Sequence, residues 1–345
     1  MVKKNKKNLL VITAILFVGA TTCIGILYYY LFYPQFHPAK DVYVYIDRDD
    51  TLDSICNKVM AKGQPGNFAG FGWMARHQDY SKNIHTGRYI IQPGDNIYHV
   101  FRRLARGHQT PLNITIGNVR TKEKLAHNIG KQLMIDSAEV VTQLLDSTFC
   151  AKMGYKEETI VCLFIPETYQ VYWDISMNDF FKRMKKEHDK FWNTERLAKA
   201  KAIGLTPEEV CTIASIVEEE TNNEKEKAMV AGLYINRLHA SMPLQADPTI
   251  KFALNDFGLR RIINNDLQIN SPYNTYKYIG LPPGPIRIPS VKGIDSVLNY
   301  VKHNYIYMCA KEDFSGTHNF ASNYTEHMAN ARKYWKALNK RKIFN

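Results

Sequence analysis

The chain has 345 residues, with 45 Lys plus Arg against 33 Asp plus Glu, and a formal net charge of +12 at pH 7. That length exceeds the roughly 100–200 residues one core usually organises, so two domains are expected. The basic balance suits an anionic polymer, while 6 cysteines without a C-x-x-C pair exclude a disulfide framework and a cysteine zinc site.

The first eight residues, MVKKNKKN, carry lysines and no acid, and Leu9 to Tyr33 then runs without a charge. A bilayer needs about 20 apolar residues, which this stretch supplies. A cleavable signal has an apolar core of only about 7–15 residues and a small-x-small site, and no such site follows Tyr33. The spacing predicts a cytoplasmic tail over 1–8 and an uncleaved anchor over 9–33, with everything beyond exported, because the flanking lysines stay inside. A lipid attachment at Cys23 fits less well, since Thr22 stands where a small Gly, Ala or Ser is expected. Export argues against nucleic acid as the partner despite the charge.

After Pro34 a weak repeat of strand, polar turn and helix occurs in three copies: Val42–Met60, Gly87–Gly107 and Asn113–Leu133. Each opens with period-two alternation and shifts to helical spacing, as at Ile97, Val100, Phe101 and Leu104. The YIIQPGDNIYHVF stretch of the second copy resembles a LysM module, a small fold that binds N-acetylglucosamine glycans; an ordinary strand–helix unit with a Pro-Gly turn reads the same way. From about Pro111 the pattern is mainly helical with short apolar strands. Cys162 and Cys211 fall in apolar runs and read as buried free thiols. No phosphate loop, serine-hydrolase elbow or zincin motif occurs.

Thr206-Pro207-Glu208-Glu209 is a helix start, with Thr206 as cap, Pro207 in the first turn and Glu209 completing a capping box. Val210, Ile213, Ala214 and Val217 then form an apolar stripe. At 100° per residue, Glu219 lies opposite the stripe, toward water, whereas Glu218 and Glu220 lie on its two edges. An edge carboxyl is partly desolvated, and burial favours the protonated form that a general acid needs. Spacing alone leaves both edge residues open, and an acidic triplet at a helix end is commonly just solvated.

The ordered motifs ASIVEEET (Ala214–Thr221), LYINRL (Leu233–Leu238), LQADPT (Leu244–Thr249), YNTY (Tyr273–Tyr276) and GLPPGPI (Gly280–Ile286) closely resemble the endolytic murein transglycosylase, or YceG-like, family. The resemblance implies that the glutamate following Ser215-Ile216-Val217, Glu218, is the catalytic acid/base. Gln245, Asp247, Asn274, Thr275, Tyr276 and Glu220 are the candidate substrate-binding residues, on the strength of their amide, hydroxyl and carboxylate groups. Asp247-Pro248-Thr249 reads equally as a helix start, and Gly280–Ile286 as a rigid loop. Two departures from the family occur: Glu219 stands where a basic residue is common, and the family's E-G-x-x-x-P-x-T-Y segment survives only as Phe164–Tyr169.

The resemblance implies an α+β fold with an N-terminal transmembrane helix, a small LysM-like lobe over 34–110 and a larger mixed α/β catalytic lobe over 111–345. It implies a lyase that cuts the β-1,4 bond between N-acetylmuramic acid and N-acetylglucosamine inside glycan strands and leaves 1,6-anhydro ends. Peptidoglycan strands, the inner membrane and peptidoglycan synthases are the implied partners, with the catalytic lobe in the periplasm. No cofactor is expected, and His318, His327 and Glu326 match no metal-ligand spacing. Two rivals stand beside this reading. One is a non-catalytic glycan-binding protein. The other is a hydrolytic muramidase, which needs a second carboxylate, Asp247 or Glu220.

Overall fold

The computed structural model describes residues 2–259 and 261–341; residue 1 of the expected tail, Arg260, and residues 342–345 of the expected catalytic lobe lie outside them. The chain is a mixed helix and strand protein that divides into two compact units, residues 1–113 with 170–175, and residues 114–169 with 176–345.

The first unit begins with α1 (Val2–Leu31). Its Lys7–Leu31 stretch of 25 residues is long and apolar enough to cross a membrane, and Leu9 to Tyr30 are exposed. Strand β1 (Val42–Ile46) leads into α2 (Leu52–Gly63), which Thr51 and Ser54 start with a reciprocal capping box. Helix α3 (Ala69–His77) follows, then β2 (Gly87–Ile91) and α4 (Ile97–Ala105), capped by the Asn96 side chain. β1 and β2 pair antiparallel with Val44 opposite Tyr89. The inward residues Val44, Ile46, Tyr89 and Ile91 meet Phe71 of α3 and Val100, Phe101 and Leu104 of α4 in one apolar core. The helical spacing of the second repeat therefore buries the face the sequence indicated.

The second unit is reached through β3 (Leu112–Thr115), followed by α5 (Lys122–Gln132), α6 (Ser137–Leu145) and α7 (Ser147–Met153). β3 pairs with β4 (Thr168–Val171). All three repeat copies are thus a strand followed by a helix. Next come α8 (Met177–Phe191) and α9 (Thr194–Ala202), then α10 (Pro207–Glu220), α11 (Lys227–His239), α12 (Asp247–Ala253) and α13 (Val291–Leu298). The antiparallel hairpin of β5 (Tyr307–Ala310) and β6 (His318–Ala321) and the last helix, α14 (Tyr324–Lys340), complete the unit. Helix α10 is its central rod. Val210 through Glu218 are all buried, against α9, α11, α12 and α13. Cys162 and Cys211 are buried and free, as their apolar runs indicated.

Candidate active site

Helix α10 starts where its sequence predicts. The Thr206 hydroxyl accepts from Glu209 N–H at 3.2 Å and the Glu209 carboxylate accepts from Thr206 N–H at 2.8 Å. This fixed start sets the three terminal glutamates in three directions, and each meets a different environment.

Glu218 points into packed protein. Its carboxylate accepts from the Ser290 hydroxyl and from Ser290 N–H at 3.1 Å, and Ser290 is the residue that caps α13. Lys227 Nζ lies 3.4 Å away, and the two side chains are only 7% and 5% exposed. Arg287 Nε is at 3.7 Å and Asn118 Nδ2 at 3.4 Å. A carboxylate at a helix N-terminus is favoured by the unpaired amides there. Gly293 on the first turn of α13 completes the fit, because a Cβ there would stand 2.8 Å from Glu218 Oε1.

Glu219 does not face water. Arg120 grips it through Nε at 2.8 Å and Nη2 at 2.9 Å, Arg287 Nη1 adds a third bond at 2.9 Å, and the side chain is 15% exposed. The expectation of a solvated face fails because α10 is packed on nearly every side, so the direction opposite its apolar stripe meets arginines instead of solvent.

Glu220 opens onto a cavity of about 350 Å³, also lined by Tyr234, Arg237, Gln245, Asp247, Tyr276 and His318. That volume lies within the range of small-ligand clefts, and Glu218 is not among the lining residues. The Tyr234 hydroxyl, on the facing helix α11, donates to Glu220 Oε1 at 2.7 Å. Burial pushes the Glu220 carboxyl up to about 7, the negative Asp247 adds to the rise, and the Tyr234 hydrogen bond opposes it. A carboxyl titrating near neutrality on a cavity wall has the protonation behaviour of a general acid/base.

The other candidates divide into cavity-facing and structural groups. Asp247, in the first turn of α12, takes the Tyr276 hydroxyl. Gln245 sits at φ 52°, its N–H bonded to the Thr275 carbonyl at 3.0 Å and its side-chain oxygen to Arg237 Nη2 at 2.5 Å. Arg237 is held in turn by the carbonyls of Pro243 at 2.9 Å and Ile306 at 2.8 Å. Asn274 and Thr275 are buried and turned inward. The Asn274 amide donates to Leu267 and Ile269 carbonyls, both at 2.9 Å, and accepts from Tyr276 N–H at 3.0 Å. Thr275 Oγ1 accepts from Ala246 N–H at 3.0 Å and bonds Thr249 Oγ1 at 2.8 Å. These two residues fold the loop that presents Gln245 and Tyr276, and neither lines the cavity.

Sequence reasoning overlooked Tyr234, Arg237 and the role of His318. Tyr234 and Arg237 stand inside the LYINRL motif, three residues apart and so on one face of α11, a signal that could have placed both beside α10. His318 pairs with the buried Glu226 through Nδ1 at 2.9 Å, and Glu226 also takes His318 N–H at 2.7 Å and the Thr221 hydroxyl at 3.0 Å. The pair ties the C-terminal end of α10 to β6, at the cavity wall.

Comparison with known proteins places the chain in a family. The model of the YceG-like family matches residues 44–333, and the chain belongs to that family. A Bacillus subtilis protein named endolytic murein transglycosylase is 27% identical over 279 residues, 76% of each chain. A Streptococcus pneumoniae protein of the same name is 27% identical over 299 residues, 76% of this chain. The chain spans about half the length of the streptococcal relative, 53%. The crystal structure of a yceG-like protein from Listeria monocytogenes shares the fold, with a TM-score of 0.56 and 24% identity, covering 84% of this chain and 98% of that one.

Proposed function

We propose that the chain is a membrane-anchored endolytic murein transglycosylase whose single acid/base is Glu220, in place of Glu218, the residue that the family resemblance implies. The observation that carries this reading is the position of the Glu220 carboxyl, bonded by Tyr234 and open to a polar cavity; burial, which pushes it up to about 7, agrees with that position. Glu218 is instead enclosed by protein, with its oxygens committed to Ser290 and Lys227.

Protonated Glu220 donates to the glycosidic oxygen as the bond from the muramyl C1 breaks. The Tyr234 hydroxyl stabilises the carboxylate left behind, and Asp247 places negative charge beside the oxocarbenium-like centre. The muramyl C6 hydroxyl then bonds to C1 and gives its proton to Glu220, which restores the carboxyl. The product carries a 1,6-anhydro ring and no water is consumed. The tethered C6 hydroxyl gains from proximity, which removes the need for a second catalytic carboxylate. Gln245, oriented by Arg237, offers its amide N–H groups to a sugar hydroxyl or N-acetyl group.

Helix α1 serves as an inner-membrane anchor with its lysine-flanked end in the cytoplasm and the rest of the chain in the periplasm. Glycan holding by the first unit rests on the LysM-like YIIQPGDNIYHVF segment, and peptidoglycan synthases are the partners such a location brings near. The test is digestion of purified peptidoglycan by the full chain in detergent, with mass analysis of the new ends. Anhydromuramyl ends, lost in Glu220→Gln, are expected. Reducing muramyl ends would favour the hydrolytic muramidase, a reading that one observation supports: Asp247 supplies a second carboxylate in the same cavity.

A further inference from the structure

The lower edge of the first unit is built as a continuation of the membrane helix. Residues Leu9 to Tyr33 make an apolar run whose first 20 or so residues satisfy a bilayer core of about 30 Å. The exposed Tyr28, Tyr29, Tyr30, Phe32 and Tyr33 therefore fall at the level where aromatic side chains collect at a membrane surface. That level is fixed to the folded unit by several contacts. Leu31 is part of the unit's apolar core. Gln35 Nε2 donates to the Tyr29 carbonyl at 3.1 Å and Asn96 Nδ2 to the Phe32 carbonyl at 3.3 Å. Helix α3 lies directly on α1, since a Cβ at Gly70 would stand 2.3 Å from the Tyr30 carbonyl oxygen.

Three residues beyond Gly70, on the same face of α3, Trp73 is 44% exposed, its ring 4.3 Å from that of His77. On α4, the Tyr98 ring sits 5.1 Å from Phe32 and Arg102 lies over it at 5.9 Å. A tryptophan and a tyrosine with exposed arginines, Arg76 and Arg102, thus extend the aromatic level of α1 sideways onto the folded unit. Aromatic rings with cations beside them suit the boundary between acyl chains and phosphates.

We propose that this face of the first unit, formed by the start of α4 and the Gly70–His77 side of α3, docks on the lipid surface around α1, with Trp73 immersed at the headgroup level. The proposal rests on α1 being a membrane anchor, and bilayer lipid is its one occupant. The unit is then seated on the membrane by contacts on either side of the anchor, with no free tether.

The test uses the full chain reconstituted into phosphatidylcholine–phosphatidylglycerol vesicles, some carrying bromine on the acyl chains near the headgroups and others near the chain ends. Tryptophan emission is read for the wild type and for Trp73→Phe, whose difference isolates Trp73 from the other three of the 4 tryptophans. Flotation with the vesicles reads the anchor separately; failure to float would defeat the anchor reading itself. In floated protein, the Trp73 component should be quenched severalfold more by shallow bromines than by aqueous iodide. Quenching by iodide alone would show a water-exposed unit on a tether, and quenching by neither would show Trp73 covered by protein. Either result overturns the docking.

Discussion

The Tyr234 hydroxyl meets Glu220 Oε1 at 2.7 Å across two neighbouring helices, α11 and α10. The bond favours the ionised carboxylate, so it holds the Glu220 carboxyl below where burial alone would push it. Tyr234→Phe should raise that carboxyl further and move the alkaline limb of the kcat/KM profile to higher pH. Turnover should fall on the order of tenfold, because the carboxylate formed after proton donation loses a hydrogen bond. An alkaline limb that does not move would show that Glu220 is not the titrating acid.

Glu220→Gln keeps the shape of the side chain but cannot give up the proton, so turnover on purified peptidoglycan should drop by about 10²–10⁴-fold while glycan binding persists. Glu218→Gln should keep most of its turnover per folded molecule. The reverse ranking would return the acid/base role to Glu218.

Stability should carry the same signature independently of any assay. The folded-state carboxyl of Glu220 is raised to about 7 from the ordinary 4.5, so the native state holds a proton that the unfolded chain releases first. Stability therefore falls as pH rises from about 4.5 through about 7 and stays reduced above that. Relative to the wild type, Glu220→Gln should gain thermal stability at pH 8 and show little of that gain at pH 4. Equal differences at both pH values in calorimetry would count against the burial of this group.

Glu218 and Lys227 form a pair with side chains 5% and 7% exposed. Glu218→Ala should leave the Ser290 hydroxyl and N–H without their acceptor and Lys227 with Glu224 alone, 2.9 Å from its Nζ, and cost about 1–3 kcal/mol. Gly293→Ala should disturb the same cluster from the other side, since its methyl would press on the Glu218 carboxylate. Denaturant melts of both variants read these effects, and near-wild-type midpoints would contradict the structural role.

The readable parts of the sequence were those with local causes. The capping box at Thr206 and Glu209 needs only four residues, and the three strand–helix repeats follow from a change of period. The different surroundings of Glu218 and Glu220 have no local cause. A helical wheel puts Glu218 and Glu220 on equivalent edges, and only the packing of α11, α12 and α13 makes one edge a cavity and the other a sealed ion pair. The wheel also assumes that a helix has a watered side, which α10 lacks, so Glu219 met Arg120 and Arg287 where solvent was expected. Asn274 shows a further limit: an amide in a motif can bind sugar or close its own loop, and its residue type is the same in both cases.

Leu31 belongs to the long apolar helix α1 by sequence and to the folded core by position, 6% exposed among Phe71, Val100 and their neighbours. Helix α1 is consequently not a detachable handle. A soluble fragment cut at Pro34 would carry a hole where Leu31 sits and would lose the Tyr29 and Phe32 carbonyls that Gln35 and Asn96 grip. Emptying a buried leucine site costs about 2–5 kcal/mol. A fragment meant for solution work keeps its core only if it starts before Tyr28, and it then exposes the same ring of aromatic side chains to water.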